Sequence, residues 1–510
     1  MKLNVVDFFE QGALRNFPAH TAIVDGERSL TFDELAADAK CCATRIANLL
    51  GGINQAVAVY LPKCAETVIA DLGIVYSGNA YCNLDIKSPP QRLRNILDKI
   101  GPACIVTSRA LVGGLRDAVG TAIEIACIED LLVGDADEAL IHDRLCQIVD
   151  TDPLCIINTS GSTGTPKGVA LSHRGTIDFM EWLFASFDLG ETVRIGSLSP
   201  LYFDIYILEL FLCLHKGATL VFVPEQLAAF PARLLEFLQA QQISFLFWVP
   251  SVMVAIANLD LLEKYDLMAL QNVFFAGEVF PTKQLNHWRR ALPQARFVNL
   301  YGPIEIHVDC TSYVVDREFV DDEPLPIGRP CRNTDILILN EHDQLCADGE
   351  RGELCVRGSS LALGYWNDPD KTAKAFTQNP LNTRYPERIY RTGDVAYRAA
   401  NGELYLVGRK DFQIKHMGYR IDLQEIEHQV HCVPGIGQAC VLYNAAVKEI
   451  TVFYEALAVE VTPADIRRCL AAIFPKYMIP TAFHSMASLP RNPNGKVDRN
   501  GLAMQLAEAR

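Results

Sequence analysis

Residues 158 to 173 read NTSGSTGTPKGVALSH, glycines and hydroxyl side chains leading to a single lysine, directly after the apolar run Leu154–Ile157. Such a stretch suits a loop whose backbone amides and hydroxyls grip phosphate. A Walker-type loop needs Gly-Lys-Ser/Thr running straight into a helix, so that the helix N-terminus faces the anion. Here Pro166 precedes Lys167, Gly168 follows it, and Val169–Leu171 reads as a strand. The loop therefore joins strand to strand, and in isolation a polar linker explains it as well.

Four further stretches could do chemistry, and each has a plainer reading. In YFDIYILELF, Asp204 heads an apolar helix, either as a capping carboxylate or as a charge offered to a ligand. NLYGPIE ends a strand in an aromatic ring, a Gly-Pro turn and Glu305. Ligands bind at such strand ends in α/β sheets, so a ring stacker beside a metal-binding carboxylate and a structural turn both fit. In YRTGDV, Asp394 stands behind a Thr-Gly corner, where it could bridge ribose hydroxyls or close an Asx-turn. In NPNGKVDR, Lys496 sits in an Asn/Pro/Gly turn and is either solvated or aimed at a site.

The elements around these stretches specify an α/β fold. From about residue 30 to 310, strand-like runs such as AVAVYLP, ACIVTS, LCIINT, ISFLFWVP and NVFFAGEV alternate with helical patterns such as PQRLRNILDKI and ARLLEFLQAQQ. That alternation means parallel sheets covered by helices. Between about 325 and 408, short strands separated by Asp-Gly, Glu-Arg-Gly and Asn-Gly turns indicate a small antiparallel, barrel-like unit. From residue 410 onward a smaller α+β segment follows, so the expected division is an N-terminal core over 1–409 and a C-terminal domain over 410–510.

Composition narrows the class. With 510 residues, half of them hydrophobic, the chain can bury more than one core. A formal charge of -15 and a pI near 5.3 argue against nucleic acid as a partner. No run approaches the roughly 20 apolar residues that span a bilayer, and the start lacks a secretory h-region. The 16 cysteines form no C-x-x-C pair, which speaks against zinc sites and for reduced thiols in the cytoplasm.

Taken together, the motifs resemble the adenylate-forming superfamily, and within it the amino-acid adenylation enzymes of nonribosomal peptide synthesis. LTFDEL at 30, NTSGSTGTPKGV at 158, FD at 203, NLYGPIE at 299, GELCVRGSSLALGYW at 352, YRTGD at 390, GRKDFQIKHMGYRIDLQEIE at 408 and NGKVDR at 494 fall in the family's order over nearly the whole length. The pattern is similar to that of free-standing ligases such as the D-alanyl and prolyl carrier protein ligases. The resemblance implies ATP and Mg²⁺, a small amino acid substrate, and a separate acyl or peptidyl carrier protein with a phosphopantetheine arm. It leaves an acyl-CoA synthetase and a non-catalytic ligand-binding relative as rivals.

Residue roles follow from the same resemblance. Thr159, Ser160, Gly161, Ser162, Thr163, Gly164 and Lys167 would hold the β- and γ-phosphates. Asn299, Leu300, Tyr301, Gly302, Pro303 and Ile304 would line the path from adenine to α-phosphate, and Asp394 and Arg409 would hold the ribose. Glu305 would bind Mg²⁺, and Lys496 would reach the substrate carboxylate and the α-phosphate, where negative charge develops. Asp204 would take the substrate ammonium, with Phe203, Ile205, Leu208, Phe247, Phe274, Ala276, Leu300, Val308 and Asp309 around the side chain. This pocket reads as small and mostly apolar, with L-proline and L-alanine ahead of a small polar residue, D-alanine as a further alternative, and Asp309 as its awkward member. Asp411 would be the pivot on which the C-terminal domain turns, bringing the Gly418 loop to the site in place of Lys496. One position departs from the family: Ile304 stands where a threonine hydroxyl usually meets the α-phosphate, which leaves two readings, compensation by His307 or a main-chain amide and slower adenylation.

Overall fold

A computed structural model describes residues 4–120, 122–159, 166–410, 412–445, 447–456, 461–491 and 497–508. Two large sheets carry the N-terminal part. The first runs, in spatial order, Gly364–Tyr365, Lys167–Ser172, Pro153–Thr159, Ala80–Asn83, Ala56–Tyr60, Cys104–Thr107 and Glu124–Cys127. Its last five strands are parallel, and the first two pair antiparallel at the edge. The second sheet has nine strands, with Arg296–Tyr301, Asn272–Phe275, Phe245–Trp248, Arg194–Ser197 and Thr219–Phe222 in parallel at its centre. Runs such as Phe-Leu-Phe-Trp at 245–248 are buried at every position, as parallel strands covered on both faces must be.

Helix Ile205–Lys216 belongs to the core shared by the two sheets. Ten consecutive residues, Ile205 to Leu214, are buried, the mark of a helix with no solvent face. It ends at Gly217 in the left-handed conformation. Its first turn faces the ends of the central strands, which places Asp204 there.

The antiparallel unit consists of strands Thr334–Leu339, Gly352–Gly358, Phe376–Gln378, Arg388–Arg398 and Leu404–Arg409. Two segments expected inside it lie elsewhere. Arg329–Pro330 pairs with Thr311–Val314 at the edge of the nine-stranded sheet, and Gly364–Tyr365 pairs with Val169 and Ala170 in the seven-stranded one. Two-residue strands carry no alternation, so sequence pattern could not place them.

The C-terminal segment has its own apolar cluster, built on helix Leu423–His431 and the sheet of Ile436–Asn444, Glu449–Ala456 and Ala482–Met486. Before it stands the hairpin Gln413–His416/Tyr419–Asp422. Its two turn residues, Met417 and Gly418, have φ of 53° and 82°, as a tight two-residue hairpin requires. Among the described residues no helix is long and apolar enough to cross a membrane.

Candidate active site

Asp394 and Arg409 face each other across antiparallel strands, and side-chain chemistry completes what the register begins. Arg409 Nη1 donates to Asp394 Oδ1 at 2.5 Å, and the Tyr301 hydroxyl donates to Asp394 Oδ2 at 2.5 Å. Asp394 is 6% exposed, so its charge is spent on these partners and no Asx-turn is needed to explain it. The corner itself is closed by Thr392, whose hydroxyl accepts the Asp394 N–H at 2.9 Å. Asn299, on the same strand as Tyr301, gives its amide to the Pro326 carbonyl at 2.8 Å.

Glu305 sits in the short turn Ile304–Ile306 and is fully buried. Its Oε1 accepts the Tyr365 hydroxyl at 2.8 Å, and its Oε2 pairs with Arg420 Nη1 at 2.7 Å. Burial pushes this carboxyl up, but the Arg420 guanidinium and the Tyr365 hydroxyl outweigh it and hold the pKa below the usual value. Lys167 stands with its Nζ 5.0 Å from the Tyr365 ring centroid, beside the same cluster. Burial and the nearby Arg420 lower its pKa. Arg420 was not singled out from the sequence; an arginine in a hairpin reads as solvated, and only its approach to a carboxylate 115 positions away reveals it.

Among the described residues, no group of three or more His, Cys, Asp or Glu could cage a metal ion. A Mg²⁺ ion would therefore rest on Glu305 together with phosphate oxygens and water, which suits its reluctance to shed its hydration shell. In this arrangement Tyr365 and Arg420 each hold one of its two oxygens.

Of the two substitutes considered for the missing threonine hydroxyl, the His307 side chain is engaged elsewhere. Ile304 lines the cavity described below, but His307 faces away from it. Its Nδ1 donates to the Ser360 carbonyl at 2.8 Å, and its Nε2 accepts the Ser172 N–H at 3.0 Å. The ring fills a hollow left by Gly175, where an added Cβ would lie 2.3 Å from His307 Cε1. Burial lowers the His307 pKa, which keeps the ring neutral. It is a bracket for the backbone, not a phosphate ligand.

A cavity of about 160 Å³ opens at these strand ends. Phe203, Asp204, Ile205, Phe247 and Ala276 meet there with Val308 and Asp309. Thr159, Gly302 and Pro303 border it as well. Leu208, Phe274 and Leu300 do not line it. Phe274 packs instead against Phe187 and Phe245, with ring centroids 4.8 and 5.0 Å apart, and Leu208 and Leu300 lie in the core. Sequence alternation could not decide this, because in strands buried on both faces every residue is apolar.

The charged side chains that line the cavity are Asp85, Arg92, Asp204, Asp309, Lys415 and Arg420. Asp204 precedes helix Ile205–Lys216 but makes no side-chain capping bond to it. Burial raises its pKa to about 6, against the pull of Lys415 and of the backbone N–H groups of Asp204 and Ile205. Asp309 is 3% exposed, and burial, then the neighbouring Asp204, drive its pKa far above the usual carboxylate range. Lys415 comes from the C-terminal hairpin, with its Nζ 5.7 Å from the Tyr301 ring centroid, and burial lowers its pKa. Sequence reasoning passed over Lys415, which looks like any lysine on an alternating strand.

The C-terminal segment closes this end of the molecule. The Gly418 N–H donates to Glu278 Oε1 at 2.8 Å, and Tyr419 meets the Phe203 ring edge-on at 4.9 Å. Tyr419 also stacks on Tyr477 at 3.5 Å. Ser160, Gly161, Ser162, Thr163, Gly164, Asp411 and Lys496 lie outside the described residues.

Comparison with known proteins agrees with this geometry. The chain belongs to the AMP-binding enzymes, whose family model matches residues 9–366. It is 30% identical over 518 residues to zwittermicin A synthase ZmaJ of Bacillus cereus, covering 99% of this chain and 95% of that protein. It is 32% identical over 502 residues to tyrocidine synthase 1 of Brevibacillus parabrevis, covering 98% of this chain but only 45% of that longer protein. In fold it is similar to the Vibrio cholerae adenylation domain AlmE in complex with glycyl-adenosine-5'-phosphate, with a TM-score of 0.85 at 23% identity over 99% of this chain and 98% of that one. The protein is an adenylate-forming enzyme of the nonribosomal-peptide-synthetase adenylation type, a class that uses ATP.

Proposed function

We propose that this protein activates a small to medium amino acid with ATP and passes the aminoacyl group to the phosphopantetheine thiol of a separate carrier protein, in the cytoplasm. The observation that carries this reading is Asp204: a carboxylate at the cavity wall, with no capping bond, set where an α-ammonium group can reach it. Solved adenylation relatives joined to carrier domains, such as PA1221, support the carrier as acceptor. The 16 free cysteines suit a reducing compartment.

In the first half-reaction the substrate carboxylate attacks the α-phosphorus of ATP; the new C–O–P bond forms as the bond to pyrophosphate breaks. Asp204 orients the amino group, Asp394 and Arg409 position the ribose, and Lys167 with the 159–164 loop faces the leaving phosphates. Lys496 offsets the charge that builds on the pentavalent phosphorus. When bound, Mg²⁺ would supply further charge neutralisation at Glu305. In the second half-reaction the thiol attacks the adenylate carbonyl, forming the thioester and releasing AMP. The closed hairpin, with Gly418 and Arg420 turned toward the cavity, belongs on our reading to this second step, with residues 410–510 turning about Asp411 between the two.

Amino-acid-dependent ATP–pyrophosphate exchange, followed by a comparison of carrier thiol and free CoA as acceptors, tests the proposal. Exchange with an amino acid and loading of a carrier are expected; preferential acylation of CoA would make it an acyl-CoA synthetase, and no exchange would leave a ligand-binding relative. Arg420→Ala separates the two half-reactions. Removing the guanidinium leaves Glu305 buried without its counter-charge only in the closed arrangement, a disruption that in buried pairs reaches several kcal/mol. Carrier loading should fall on the order of 10- to 100-fold further than exchange does. A parallel decline in both would detach the Arg420–Glu305 pair from the second step.

A further inference from the structure

Asp309 is held at the cavity by a backbone under strain. His307 and Val308 adopt φ of 54° and 48°, and for a β-branched residue like valine that region is unfavourable. The bracket made by His307 on Ser172 and Ser360 keeps the pair there. Gly302 lets the turn close over it, since a Cβ on Gly302 would lie 2.4 Å from the Asp309 Cα. The outcome is a carboxylate 3% exposed, facing the cavity, whose Oδ2 is buried without a hydrogen-bond partner. An unpaired carboxylate in such a place is strongly unfavourable, and strain kept at a site is a reason to look for what it serves.

Asp309 forms no ion pair among the described residues, and the described charges it senses are Asp204, which repels it, and Lys415, which attracts it. Lys415 stands on the hairpin that the proposed domain motion would carry away. The α-ammonium of an ordinary amino acid would answer Asp204 and leave Asp309 alone. Of the other charged side chains that line the cavity, Arg420 pairs with Glu305 and Arg92 with Glu425, and Asp85 is a third carboxylate; residues such as Ile205, Phe247, Ala276 and Val308 add an apolar wall.

We infer that Asp309 selects a substrate with a second ammonium group on a short side chain, an α,ω-diamino acid in the range of 2,3-diaminopropionate, 2,4-diaminobutyrate and ornithine. This rests on the proposed amino acid activation and reorders its candidates, placing the diamino acids ahead of proline and alanine. The short chain follows from both carboxyl groups lining one cavity, close enough for Asp204 to act on Asp309. The two ammonium groups would meet two carboxyl groups, and the second ammonium would favour the ionised form of Asp309 that burial and Asp204 disfavour in the empty site.

Pyrophosphate exchange by the full-length protein tests this. The panel holds the three diamino acids, their neutral counterparts alanine, 2-aminobutyrate and norvaline, and proline, serine and threonine. The best diamino acid is expected to exceed its neutral counterpart at least 30-fold in kcat/KM. Asp309→Asn, equal in size and free of the buried charge, should reduce that ratio to about one, and Asp309→Glu should retain part of it. Thermal melting of Asp309→Asn checks that it folds. Preference of the wild type for a neutral or hydroxylated amino acid would overturn the inference while leaving amino acid activation standing. So would a ratio that Asp309→Asn does not change. Exchange with no amino acid at all would overturn both.

Discussion

Asp204→Asn should raise KM for the amino acid in pyrophosphate exchange by about 30-fold to several thousand-fold, the range expected when one partner of a buried charge pair is lost at roughly 2–5 kcal/mol. KM for ATP should move little, since the carboxylate lies at the head of helix Ile205–Lys216 and not on the Asp394–Arg409 pair. The same substitution should leave the empty protein at least as stable as before. On folding, the Asp204 carboxyl rises from 3.8 to about 6, so the native state resists its ionisation. That penalty is absent below about pH 4, grows between the two values and is complete above the folded one. Removing the charge should therefore raise the melting temperature at pH 8, and the gain should vanish toward pH 4. A variant that loses amino acid affinity and melts lower at pH 8 would mark Asp204 as a structural carboxylate.

Lys496→Ala should lower amino-acid-dependent exchange by about 100- to 1000-fold, the usual effect of deleting a donor aimed at transition-state charge. Given a supplied aminoacyl-adenylate, the variant should still load the carrier at a rate within a few-fold of wild type. The physical reason is that two groups cannot occupy one face of the reacting carbonyl. In the closed arrangement the Gly418 hairpin, Lys415 and Arg420 border the cavity. A quenched-flow measurement of the two half-reactions decides it. Equal losses in both would remove the case for two arrangements.

Much of the architecture could be read from residue patterns. The parallel strands announced themselves as short, continuous apolar runs between helical segments, and the strand-to-strand character of the 158–173 stretch followed from Pro166 and Gly168. Asp204, Glu305 and Asp394 stand out in the sequence because each carboxylate follows an apolar or glycine-bearing corner, and the structure sets Asp204 at the cavity, Glu305 on Arg420 and Asp394 on Arg409. Arg420 and Lys415 were not, because their role depends on where a hairpin more than a hundred residues downstream comes to rest. The pocket walls that the structure places elsewhere have another origin, buried elements whose residues are apolar on every side. Phe274 and Phe247 sit side by side in paired strands, yet Phe247 lines the cavity and Phe274 does not. His307 was misread since its conformation, and not its chemistry, aims the ring.

The two-residue strand Gly364–Tyr365 leaves the antiparallel unit to pair with Val169 and Ala170, and its Tyr365 hydroxyl reaches Glu305. For anyone exchanging pieces between related enzymes, this is a splice junction in the wrong place. A graft of residues 168–310 that looks self-contained along the chain would be severed from the strand that completes its sheet edge and from the hydroxyl on its buried glutamate. Chimeras cut beyond residue 366 keep that stitch intact, whereas those cut before 364 require the donor and recipient tyrosines to be interchangeable.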